Sequence, residues 1–151
     1  MTRLIRLGAV LRARQAQEDA AKAEVVRVRQ AATHAAELAN RREAALQESE
    51  VPAEGVAQSV AAALAARQAL AADLSLARRL VAERNQAVKE RMRELTAKAQ
   101  ARRVVEKLIE RQLAEERRLA EAAEQRALDD IAATRPLPIT VGPERVPGGV
   151  S

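Results

Sequence analysis

The sequence predicts an all-α protein: two long helices folded into an antiparallel coiled-coil hairpin, with a disordered C-terminal tail. Three observations carry this. The chain holds no Phe, Tyr or Trp, although 48% of its residues are hydrophobic and 31% are charged. Without bulky aromatic side chains a compact globule buries too little area, whereas Ala, Glu, Arg and Leu suit long helices. Apolar residues recur at alternating steps of three and four over long stretches, the mark of a coiled-coil seam. Proline and glycine are confined to a few places, which divide the chain into two blocks and a tail.

The first helix is expected over residues 4–48. Its seam reads Leu4, Leu7, Leu11, Ala21, Val25, Val28, Ala32, Ala35, Ala39 and Leu46, with Arg14, Glu18 and Arg42 interrupting the register. The alanines would let a partner helix approach closely. A turn over residues 49–58 follows, at SEVPAEG, where Pro52 disfavours helix at Val51 and Gly55 weakens the stretch further. Its length suits a connection between two antiparallel helices.

The second helix is expected over residues 56–133. Leu70, Leu74, Ala77, Val81, Val88 and Leu95 keep a heptad step, interrupted by Arg84 and Arg91, and the pattern spreads from Val104 onward. At 1.5 Å per residue this helix reaches roughly 110 Å against roughly 70 Å for the first. Roughly the last 25–30 residues of the second helix are then expected to project past the start of the first, by the same rise per residue. The hairpin would occupy residues 1–135. The tail, residues 136–151, alternates Pro, Gly and polar residues and reads as disordered.

Composition narrows the function. There is no cysteine, so disulfides and thiolate chemistry are excluded. His34 is the one histidine and lies mid-helix, and no phosphate-binding glycine loop, metal-ligand spacing or nucleophile elbow occurs. The sequence therefore points away from an enzyme: no catalytic residue, no metal and no cofactor are expected. The N-terminus has charges spread through it and does not read as a signal peptide. No uninterrupted apolar run approaches the ~20 residues that span a bilayer, so a cytoplasmic location is expected. Net charge is +5 with a pI near 10.6. That balance permits nucleic acid, anionic membrane or acidic protein as partner. The missing aromatics argue against single-strand binding by base stacking.

Charge is placed unevenly. Arg3, Arg6, Arg12 and Arg14 precede the first acid, Glu18, at a helix end whose dipole is positive. Between Arg84 and Arg103 seven basic residues face two acids, Glu90 and Glu94. At the other end, EQRALDDIAATRP carries Asp129 and Asp130 close to a helix C-terminus, where each carboxylate costs about 0.3–1 kcal/mol if exposed. Locally costly charge of this kind is what a surface shaped for a partner would show.

The stretch RVVEKLIERQLAEERRLAEAAEQRALDDIA resembles the end of the flagellar FliJ family, through Glu124, Gln125, Arg126, Leu128, Asp129, Asp130, Ile131 and Ala132. The opening RLGAVLRARQAQEDAAKAEV is similar to the family's Leu-rich start followed by E-D-x-A. The two stretches cover about a third of the chain. The resemblance implies an antiparallel coiled coil similar to the central stalk of rotary ATPases, acting in flagellar type III export. It implies three partners: the export ATPase hexamer, the cytoplasmic domain of the export gate, and export chaperones.

The residues it points to for partner binding are Arg3, Arg6, Leu70, Glu124, Gln125, Leu128, Asp129, Asp130 and Ile131. The family's gate patch flanks the turn and often includes aromatics. By position it falls near Glu37, Arg41, Ala44 and Leu70, of which Leu70 keeps the apolar character. Nucleic acid is not an expected partner, and membrane association is expected only through the export apparatus at the flagellar base. The alternatives are a generic coiled-coil scaffold or central-stalk-type subunit pairing with another helical protein, and an amphipathic membrane-surface protein. A strict heptad to the end of the second helix would favour the scaffold, and the Ala-rich face fits a membrane surface poorly.

Overall fold

A computed structural model describes residues 2–143, 148 and 149. Among these the chain is all-helical, with two long helices: α1 spans Thr2–Glu48 and α2 spans Ala57–Thr134. Residues 136–143 carry neither helix nor strand, and residues 144–147, 150 and 151 of the expected disordered tail lie outside the described residues. The chain divides into two units, Met1–Ile109 and Glu110–Ser151.

In the first unit the helices run antiparallel. Glu43 of α1 pairs with Arg78 of α2 at 3.2 Å near the turn. Glu24 pairs with Arg91 at 3.5 Å, and Glu18 with Arg102 further along. The helices are held together along the seam that the spacing predicts. Val25, Val28, Ala35, Ala39, Leu74, Ala77 and Val105 are its buried apolar side chains, and none is fully buried. A two-helix seam excludes water from one stripe only, so its stability rests on small contacts and close approach at the alanines rather than on a deep core.

The expected interruptions behave in three ways. Arg42 is exposed, so the register passes it by. Arg14 is half-buried and donates to Gln17 at 3.2 Å. Glu18 stays in the seam at 7% exposure. In α2, Arg84 is exposed, while Arg91 is half-buried between Glu24 and Glu94, 3.0 Å from the latter. The spreading expected from Val104 is corrected within this unit. Val105 is buried and Ile109 half-buried, continuing the three–four step from Arg102, whereas Val104 and Leu108 face solvent.

The turn is closed by polar groups. The Ser49 N–H donates to the carbonyls of Ala45 (3.1 Å) and Leu46 (3.3 Å), and its hydroxyl also donates to Leu46 at 2.6 Å. From α2, Arg67 reaches back to the Ser49 carbonyl at 2.9 Å. These bonds satisfy carbonyls that the end of α1 leaves open.

No uninterrupted apolar run is long, although α2 contains a stretch that is apolar enough by length and composition alone to cross a bilayer.

Candidate partner-binding surface

The second unit contains the end of α2. From Glu110 to Thr134 every residue is exposed except Gln112, Glu116 and Ala122, which are intermediate. Glu124, Gln125, Leu128, Asp129, Asp130 and Ile131 are all exposed, with Leu128 at 61% and Ile131 at 65%. A helix advances about 100° per residue, so Glu124, Leu128 and Ile131 share one face. Asp129 and Asp130 fall on the opposite side, flanking its centre. The segment thus shows an apolar pair on one side and an acidic doublet on the other.

The doublet is tied down locally. Gln125 donates its side-chain N–H to Asp129 Oδ1 at 3.0 Å, one turn earlier. Among the described residues neither Asp129 nor Asp130 lies within ion-pair distance of a cation. Because α2 runs on to Thr134, the two carboxylates sit one turn inside the end rather than in it. The dipole penalty falls off beyond the last turn, so it is smaller here than the sequence reading implies. Thr134 completes the terminus, its hydroxyl bonding the carbonyls of Asp130 (3.0 Å) and Ile131 (3.1 Å). Earlier in the same segment, Glu115 and Arg118 form a pair at 2.6 Å. The Arg118 hydrogen bond lowers the Glu115 pKa, and Glu115 raises that of Arg118.

The remaining candidate residues lie elsewhere. Arg3 and Arg6 are exposed in the first turns of α1, which hold no acid. Near the turn, Glu37, Arg41 and Ala44 are exposed. Leu70 is instead half-buried at a seam position, one turn before buried Leu74, so its apolar side chain serves the hairpin. Sequence reasoning missed Arg102, which joins Glu18, Glu106 and, through Glu18, Lys22 into one network. The Arg102 hydrogen bond holds the Glu18 carboxyl below its usual range, against the opposing effect of burial; Lys22 adds to the lowering. The signal was present in the three–four step that carries Arg102 onto the seam.

Two antiparallel helices with a seam of Val, Leu and Ala define a coiled-coil protein. The family model of the flagellar FliJ protein matches residues 2–137. The chain therefore belongs to the FliJ family, which makes it a component of flagellar type III protein export. No curated protein and no solved structure gives a significant match.

Proposed function

We propose that the chain is a non-catalytic, stalk-like coiled coil of the export apparatus whose C-terminal part of α2 docks in the export ATPase hexamer. In this reading it also contacts the cytoplasmic domain of the export gate and escorts export chaperones. It works in the cytoplasm at the flagellar base, peripheral to the inner membrane. The observation that carries the reading is the two-sided exposure of Glu124–Ile131. A partner resting against one side of the helix would use Leu128 and Ile131 or the aspartates, but not both. A ring that surrounds the helix can pack the apolar pair and set basic groups against the doublet.

A secretion assay in a strain lacking this chain tests the reading. Wild-type chain should restore flagellar export, and Leu128→Asp/Ile131→Asp should fail to do so while remaining helical and soluble. Full export by that variant would count against docking through this segment.

A further inference from the structure

The first unit carries a cationic row that the family reading does not use. On α2, the positions stepping by three and four from Gln68 to Lys107 lie on the side turned away from the seam, and all are exposed. Five of these twelve positions are cations, Arg79, Lys89, Arg93, Arg103 and Lys107, and the other seven are Gln, Ala, Ser or Thr. No acid interrupts the row. Glu83 and Glu90 border it on one side, with Gln86 approaching Glu90 at 3.5 Å; Glu106, taken up by Arg102, borders it on the other, and the next step beyond Lys107 is Glu110. The equivalent outer row of α1, from Ile5 to Gln47, has Arg12 against Asp19 and Glu37. One side of the hairpin is therefore cationic and the other nearly neutral.

These cations are available. Among the described residues none of the five lies within ion-pair distance of a carboxylate. By contrast Arg78, Arg91 and Arg102, which project toward α1, are taken up by Glu43, Glu24 and Glu18. Within the basic stretch noted in the sequence, Arg91 and Arg102 are thus structural, whereas Lys89, Arg93 and Arg103 are free.

The composition of the row selects its partner. It holds no apolar side chain larger than Ala. A partner helix would need an apolar seam, and a protein interface would need desolvated aromatic or aliphatic anchors at its centre. Stacking on single strands needs aromatics, which the chain lacks. What remains is attraction to a dense anionic surface that need not match fixed spacings. From Lys89 the cations follow at intervals of roughly 6, 15 and 6 Å along the axis. Laterally mobile lipid headgroups can gather under such a row. We propose that the outer row of α2, Lys89, Arg93, Arg103 and Lys107 with Arg79, binds the surface of an anionic phospholipid bilayer directly.

The test is cosedimentation of the full chain with vesicles of phosphatidylcholine alone and of phosphatidylcholine with 40% phosphatidylglycerol, at low and high salt. Binding should appear on the anionic vesicles only and fall as salt rises, because exposed charges are screened over ~10 Å at 0.1 M. Each lost cation should weaken it about fivefold. Lys89→Gln/Arg93→Gln/Arg103→Gln/Lys107→Gln, whose sites are all exposed, should thus lose several hundredfold while its circular dichroism is unchanged. A control with the same net charge, Arg12→Gln/Arg41→Gln/Arg42→Gln/Arg135→Gln, should keep most of the binding. Failure of the wild-type chain to bind anionic vesicles would overturn the proposal. So would equal loss in the control, full binding by the row variant, or a preference for duplex DNA over the vesicles. None of these results bears on docking through residues 124–131.

Discussion

Arg102 on α2 donates its Nε–H to the carboxylate of Glu18 on α1, 84 residues away in sequence. Both groups occupy seam positions, most of which hold apolar side chains. Such a pair holds two helices in register, and it does so at a desolvation cost. Breaking it from one side should be worse than removing it. Arg102→Leu should lower the melting temperature by several degrees, since it strands the Glu18 carboxylate. Glu18→Leu/Arg102→Leu should recover or exceed the wild-type value. Thermal unfolding by circular dichroism checks the order.

The same pair sets a dependence on acidity. The Arg102 hydrogen bond lowers the Glu18 pKa, and Arg27 does the same for Glu24. A carboxyl with a depressed folded-state pKa contributes stability that is present above its unfolded value, about 4.3, and is lost as pH falls through the lower folded value. Wild-type chain should therefore be more stable than Glu18→Gln at neutral pH. The gap should close below about pH 4. Melting temperatures over a pH series would show it.

Seam burial is graded, and so should be the cost of truncation. Leu74 is 5% exposed and Leu76 is 60% exposed, two residues apart on the same helix. Leu74→Ala should cost about 2–3 kcal/mol, the lower part of the range for buried leucines, because a two-helix seam leaves its cavity open to collapse. Leu76→Ala should stay within about 0.5 kcal/mol. Denaturant titration of both variants separates the two.

Gly8 lies inside α1, and a methyl group placed there would meet only Arg12 Nη1, at 3.9 Å. Gly8→Ala should then stabilise the chain by up to about 0.5–1 kcal/mol, by restricting the unfolded backbone and favouring helix. An unchanged unfolding midpoint would mean that the first turns of α1 are already frayed.

Much of the hairpin was legible because a three–four spacing reports directly which residues share a helix face. The seam from Leu4 to Leu46 follows from it, and the break follows from Pro52 and Gly55. Spacing does not reveal how a polar residue in the register will behave. Arg42 is exposed and Glu18 is buried, and the difference is a partner on the other helix that no local pattern names. The apparent loosening at Val104 arose from counting every apolar residue, whereas the register selects Val105 and Ile109. At the candidate site the residue types were readable, but their division between opposite faces appears only when angle is considered with identity. The outer cationic row is hidden in the sequence for the same reason, because seam cations and free ones are interleaved along α2.

The binding of the full chain to purified export ATPase tests the account most directly, measured at low and high salt for wild type, Leu128→Asp/Ile131→Asp and Asp129→Lys/Asp130→Lys. Both variants should weaken binding while far-UV circular dichroism stays unchanged. The lysine variant should lose most at low salt, where its charge contacts are least screened. Wild-type affinity in both variants, with α2 still helical, would contradict docking through this segment.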